Sequence, residues 1–474
     1  MLTQYGVRQP IAQPARLDEP ARRKYNGDLH FRFTLLCRSM TRRVVITGLG
    51  VVSPLGNSPD KLWAALAVGQ SGVRELTSFP ADPLPTRFAA EARDFTGSIE
   101  DFGPLDKAMS RTIKKNLRMM CREMQMGLAV AQLAISHGGL DLEAANLDRT
   151  GIVYGSDYML TVPQEFTTGI RNCLTADGQF DFRQWGEKGL PSVEPLWLLK
   201  YLPNLPASHI AIFNDLRGPS NSLTMREASS NLAVGEAYMT IVRGHADAMI
   251  AGATGTKVHP ARTLHVVTQE EIATGDGDPT ALSRPFDLNR TGAVMGEGAA
   301  AIMLEELETA QKRGATIWGE VIGAASTAVA DRRGIGQTRV AIGNVLRMAL
   351  KSAALAPDDV GHIHAHGLSG RYSDAQEAQA IAEVFSSRKS PVPVVAAKSY
   401  FGNLGAAGGL VELIASVLAQ KNDRLFATLN YTSPDPDCPV HVVANGSASP
   451  GQTFINVSST PQGQASAVVV KRFP

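Results

Sequence analysis

From Arg42 onward, short apolar runs alternate with longer stretches of helical character. "RRVVITGLGVV" (42–52), "TGIVYGS" (150–156), "DAMIAGA" (247–253) and "VGHIHAHG" (360–367) carry few charges, as strands buried on both faces do. Between them, "LRMMCREMQMGLAVAQLAISHGGL" (117–140) reads as a buried or amphipathic helix ended by a glycine pair. "NLAVGEAYMTIV" (231–242) reads as a second helix. After "SRPFDLNRTGAVMGEGAAAIMLEE" (283–306) the alternation restarts, with helices over "RVAIGNVLRMALKSAAL" (339–355), "DAQEAQAIAEVF" (374–385) and "AAKSYFGNLGAAGGLVELIASVLAQ" (396–420). Buried strands joined by crossover helices predict a mostly parallel sheet covered on both faces.

Two series of similar content predict two α/β halves, 40–283 and 284–474, joined near residue 284. The segment 158–205, with Trp185, Trp197 and "YLPNLP", is expected to be an irregular insertion over a site or a subunit contact. Residues 1–39 are Arg-rich, aperiodic and without the apolar core of a secretory signal, and are expected to form a poorly ordered extension ahead of Met40.

The 474 residues suffice for two domains or two fused halves. Forty-six basic against forty-five acidic residues leave a net charge of +1, so no global field draws the chain to nucleic acid or to an anionic membrane. No apolar run reaches the length of a membrane span. Four cysteines lie scattered without C-x-x-C spacing, which suits a reducing, cytoplasmic setting and argues against a disulfide frame.

"GPSNSLTMREASSNLAVGEAY" (218–238) has the form of a nucleophile's surroundings: a strand-like run, a sharp transition and a small-residue helix. It holds no cysteine; Arg226-Glu227 stands at the transition. Ser229 and Ser230 fall further into the helix, and no G-x-S-x-G elbow occurs, so packing is their expected role. His362, His364 and His366 alternate on a strand, but without acidic or Cys ligands nearby no metal site is expected. "GLGVVS" at Gly48 lacks the third glycine of a dinucleotide fingerprint, and no phosphate-cradling loop occurs elsewhere. Met119, Met120, Met124 and Met126 are expected to pack a core or a dimer contact.

Five stretches in order resemble the elongating β-ketoacyl-acyl-carrier-protein synthases of the thiolase fold. They are "VVITGLGVVSPLGNS", "GPSNSLTM…GHADAMIAGAT", "SRPFDLNRTGAVMGEGAAAIMLEE", "HAHGLSGRYSDAQEAQAI" and "KSYFGNLGAAGGL", and the likeness runs from Met40 to the C-terminus. The resemblance implies two similar βαβαβ-type halves in a layered α/β/α/β/α architecture, and a dimer. It implies acyl chains delivered on the phosphopantetheine of an acyl carrier protein, with no cofactor of the chain's own. In that family a Cys at a helix N-terminus takes the acyl chain, and two His assist decarboxylation of a malonyl thioester.

Carried across position by position, the resemblance puts Glu227 at the nucleophile, His366 at the first catalytic His, Lys398 at the family Lys, and Glu377 with Asp374 at the acidic positions after the His. Asn403 stands for the second His. Leu368 and Gly370 replace two Thr that bind the pantetheine arm, and "VSSTPQGQ", with Ser459 and Gly463, replaces a Gly-Phe-Gly-Gly loop. A carboxylate cannot stand in for a thiolate, because its acyl form is a mixed anhydride, hard to form from a thioester. A helix N-terminus favours the ionised carboxylate and burial opposes it; the sequence leaves the winner open. The resemblance therefore implies a synthase homologue without Cys-dependent condensation, whose standing as an enzyme is undecided. The first expectation is a chain-length-factor-type partner of a Cys-bearing synthase, as homodimer or heterodimer. The second is an atypical acyl-carrier-protein enzyme, such as a malonyl decarboxylase, using Glu227, His366 and Asn403.

Overall fold

The computed structural model describes residues 42–474 apart from Pro83. The expectation for residues 1–39 lies outside the described residues. The strands are β1 (Val44–Val52), β2 (Arg74–Glu75), β3 (Phe88–Ala89), β4 (Thr150–Ser156), β5 (Ser220–Thr224), β6 (Ala248–Thr256) and β7 (Glu297–Glu306). They continue as β8 (Gly319–Ala328), β9 (His362–His364), β10 (Pro393–Val395), β11 (His441–Val442), β12 (Thr453–Ser459) and β13 (Gln464–Lys471).

Two half-sheets repeat one plan. The first runs β1-β7-β6-β4-β5 and the second β8-β13-β12-β9-β10, with β11 added at its edge. In each, the first strand is antiparallel to the second and the second to the third, and the last three are parallel. β1 and β8 join the halves through Val44–Ile46 and Gly319–Val321. The sheet is thus mixed rather than mostly parallel. Pattern alone could not reveal this, because a buried antiparallel strand is as continuously apolar as a parallel one.

The boundary between halves also differs from the expected 283/284. Glu297–Glu306 pairs with β1 and β6, so the first half runs through Glu306 and the second begins at β8. The sequence break at Ser283 marks a loop within the first half.

Helix Arg122–His137 covers the first half-sheet on β1, β6 and β7. Helix Thr338–Ser352 covers the second on β8 and β13. Between the sheets lies helix Ser229–Val242, touching β4 and β6 on one side and β8 and β13 on the other, with helix Gly408–Lys421 beside it. This is the layered thiolase-like arrangement. Gly408–Lys421 is buried at every position but its last, as its all-round apolar sequence requires. The two central helices cross closely: a Cβ at Gly409 would come 3.1 Å from Ser230 Cβ and 2.5 Å from Ser458 Oγ. That crossing explains the small residues at both helix starts.

Met120, Met124 and Met126 are buried in the core under helix Arg122–His137. The segment 158–205 consists mainly of short helical turns, held by Phe166 against Trp185 and Trp197. No helix among the described residues is long and apolar enough to cross a membrane.

Candidate active site

Both central helices begin at one buried cluster. β5 ends at Thr224, a single turn Arg226–Ala228 follows, and helix Ser229–Val242 starts there. Arg226 has φ +50°, a left-handed conformation uncommon for a side chain this large, which makes the transition sharp. Ser229 Oγ donates to Ser156 O at 2.9 Å, and Ser230 Oγ donates to Ala406 O. Both hydroxyls pin the turn to its neighbours, in keeping with a packing role.

Glu227 stands on this turn with 2% of its surface exposed. Lys257 Nζ lies 2.7 Å from its Oε1, Asn403 Nδ2 donates to the same oxygen at 3.2 Å, and Arg226 Nε is 3.6 Å from Oε2. Lys257 also meets Glu270 Oε1 at 2.9 Å, and Arg226 reaches that oxygen at 2.5 Å. Two cations and two carboxylates thus form a closed, neutral quartet. Burial opposes ionisation of Glu227, yet Lys257 and Arg226 outweigh it and hold the carboxyl well below the usual range. Lys257 is raised in turn: burial disfavours its charge, but Glu227 and Glu270 prevail. The competition left open by the sequence is decided by a lysine rather than by the helix terminus.

His366 follows β9, and Glu377 on helix Arg371–Val384 receives the His366 and Gly367 N–H groups at 2.7 and 2.8 Å. Burial, with Asp374 nearby, pushes Glu377 up to about 7, and burial pushes Asp374 up to about 6. Asp374 accepts from Phe286 N at 2.9 Å and Ser369 N at 3.0 Å, fixing the following loop. Lys398 Nζ pairs with Glu412 and lies 3.2 Å from His366 Nδ1. An ammonium only donates, so Nδ1 accepts and the imidazole proton sits on Nε2, a buried atom without a partner. Burial and the neighbouring lysine hold His366 neutral.

The predicted residues Glu227, His366, Asn403, Lys398 and Glu377 therefore converge. The four other predicted positions do not join them by hydrogen bonds. Leu368 is half-buried. Gly370 caps helix Arg371–Val384, and a Cβ there would come 2.5 Å from Ser373 Oγ and 3.0 Å from Glu271 Oε2, side-chain tips that a larger residue would turn aside. Ser459 ends β12. Gly463, at φ +80°, lies in the β12–β13 turn, whose carbonyl receives Val329 N at 2.9 Å. A Cβ at Gly463 would fall 2.1 Å from Val329 O. Packing accounts for this glycine.

Sequence reasoning missed Lys257, Glu270 and Glu412. Two carried a signal: Lys257 is the first charge after the uncharged strand Ala248–Thr256, and Glu412 is the lone acid in an otherwise buried apolar helix. His362 and His364 share Ser416 Oγ at 3.0 and 2.8 Å. Their remaining nitrogens face Pro450 O and Ala397 N, so both are satisfied core histidines.

Residues 41–310 match the family described as "Beta-ketoacyl synthase, N-terminal domain", and residues 318–432 match "Beta-ketoacyl synthase, C-terminal domain". The chain is 33% identical over 410 residues to the 3-oxoacyl-[acyl-carrier-protein] synthase 2 of Coxiella burnetii, covering 85% of this chain and 92% of the relative. It is 31% identical over 418 residues to the enzyme of the same name from Synechocystis, covering 87% and 92%. Among solved structures, a β-ketoacyl synthase from Burkholderia phymatum superposes with a TM-score of 0.78 at 28% identity, over 91% of this chain and all of that one. The ishigamide ketosynthase/chain length factor gives 0.77 at 26% identity, over 92% and 100%.

Proposed function

The chain belongs to the β-ketoacyl synthase family, and on that premise we propose that it acts as a non-condensing, chain-length-factor-type partner of a Cys-bearing ketosynthase. It is a ketosynthase-like protein of fatty-acid or polyketide synthesis. In this proposal Glu227 stands where active relatives carry the nucleophilic Cys, and the acyl chains come from acyl carrier protein.

The observation that carries the proposal is the quartet around Glu227. A nucleophile or general base needs an available lone pair and a pKa near the working pH. Glu227 keeps a free lone pair on Oε2 but lacks the second: its charge is balanced by Lys257 and Arg226, and its pKa is depressed. Asn403, the expected donor to an enolate, already donates to Glu227. The similarity to a structure that contains a chain length factor supports the same reading.

The second reading, decarboxylation of malonyl-acyl carrier protein, has one observation in its favour: the unpartnered His366 Nε2–H, which would suit a developing enolate oxygen. Against it, a malonyl carboxylate would have to approach the ionised Glu227. The two readings separate in one assay. Purified protein incubated with malonyl-acyl carrier protein is expected to release no carbon dioxide above background. Release that disappears in His366→Ala would replace the partner reading with the decarboxylase.

A further inference from the structure

Beside the start of helix Arg122–His137 lies a cavity of about 210 Å³. Its walls are largely apolar, with Phe79, Met159, Leu160, Val162 and Val258 among them, and Glu123 lines it. Glu123 is 6% exposed, and its Oε2 has no hydrogen-bond partner. A buried polar atom left unpaired costs stability unless something supplies the missing bond.

The charges around Glu123 do not balance. Arg262 serves two carboxylates with one guanidinium: its Nη1 is 3.6 Å from Glu123 Oε1 and 3.5 Å from Asp157 Oδ2. Arg122, which lines the cavity as Arg262 does not, is already committed to Glu297, through Nη2–Oε1 at 2.7 Å and Nε–Oε2 at 3.0 Å. Cys121 is kept a neutral thiol, pushed up to about 12 chiefly by burial, and adds no negative charge; burial lowers His259 to about 4, so it adds no positive one. Within the group Glu123, Asp157, Arg262, Arg122 and Glu297, three carboxylates face two guanidinium groups, and Arg226, which also faces Asp157, is engaged by Glu227 and Glu270. Burial raises Glu123 to about 7, the response of a carboxylate that lacks a full counter-charge.

We propose that this cavity is a binding site for a small amphipathic cation, a primary alkylammonium whose head pairs with the free Glu123 oxygen and whose aliphatic tail fills the apolar part. A void of roughly 150 Å³ holds benzene, so this one suits a molecule of slightly more than six heavy atoms. An ammonium has three N–H donors, and the Gln164 and Ser78 side chains at the wall offer acceptors beyond Glu123. The inference does not rest on the proposed function, although Asp157 also faces Arg226 of the quartet at Glu227.

The test is isothermal titration at pH 8 with n-hexylamine, n-hexanol and hexanoate, on the native protein and on Glu123→Gln. Hexylamine is expected to bind the native protein at least about tenfold more tightly than hexanol, the worth of one charge-assisted hydrogen bond. Hexanoate is expected to bind more weakly than hexanol. Glu123→Gln is expected to lose that tenfold advantage while keeping its hexanol affinity. The proposal is overturned if hexanol or hexanoate matches hexylamine, if no probe binds, or if hexylamine affinity survives Glu123→Gln. The three-probe comparison on the native protein decides the question even if the variant does not fold.

Discussion

Replacing Lys257 with Met removes one charge from the elbow quartet and little volume. Lys257 is 1% exposed and lies 2.7 Å from Glu227 and 2.9 Å from Glu270. In Lys257→Met, two buried carboxylates share Arg226 alone. Breaking a buried ion pair by removing one partner costs about 3–5 kcal/mol, because the other charge stays buried. Glu227→Gln alone leaves Lys257 and Arg226 sharing Glu270 and should cost a similar amount, about 3–5 kcal/mol. The informative species is the double variant. With both changes the only charges left are Arg226 and Glu270, 2.5 Å apart and balanced. Glu227→Gln should therefore restore part of what Lys257→Met loses, with a coupling of about 0.5–3 kcal/mol. Urea unfolding followed by far-ultraviolet circular dichroism at pH 7 measures all three variants against the native protein. A Lys257→Met protein within about 0.5 kcal/mol of native, the spread usual for an unimportant substitution, would refute the argument. So would a double variant less stable than Lys257→Met.

Linkage gives a pH test at the same residue. The Glu227 pKa is depressed on folding, so its stabilisation is complete above the unfolded carboxylate value near 4.3 and is lost as pH falls toward the folded value. The stability gap between native protein and Glu227→Gln should hold steady from pH 5 to 8 and shrink below about 4. Glu123 has the opposite sign. Its folded value of about 7 lies above the unfolded one, so it lowers stability as pH rises from about 4.3 through 7. Glu123→Gln should flatten that decline by on the order of 3 kcal/mol in urea titrations across pH 4–8, with Arg262, Asp157 and Glu297 still facing the site. Gly370→Thr should destabilise by less than about 1.5 kcal/mol, because the Ser373 hydroxyl and Glu271 carboxylate it meets can turn aside; a larger loss in urea unfolding would show that they are held. Glu227→Cys should form no β-ketoacyl product with acyl- and malonyl-carrier protein, because Leu368, Gly370 and Asn403 remain; product detected by mass spectrometry would mean the rest of the site is intact.

Much of the fold was legible because buried strands and helices announce themselves by period. Gly48 and Gly50 hold a constraint that only the structure shows: a Cβ on either would strike the Ala134 or Val130 carbonyl of the covering helix, so β1 must carry glycine there. Strand direction was not legible, because the middles of β7 and β13 are as apolar and buried as their parallel neighbours and differ from them only in their connections. The boundary near 284 failed for a related reason: the polar break before Phe286 looks like a linker, yet the next strand returns to the first sheet. At the site, residues within recognisable motifs were placed together, and the elbow with Glu227 was found from its local pattern. Lys257 and Glu270 act through space, 30 and 43 positions along the chain from Glu227, and belong to no motif. Their effect on Glu227 needed coordinates.

The central claim is tested most directly by co-expressing this chain with a Cys-bearing ketosynthase from the same source, purifying the assembly, and supplying acyl- and malonyl-carrier proteins. A stable one-to-one complex is expected, whose product length depends on this subunit and whose turnover persists in Glu227→Gln but not when the partner's Cys is replaced. A chain that pairs with no such synthase and releases carbon dioxide from malonyl-carrier protein on its own would contradict the account.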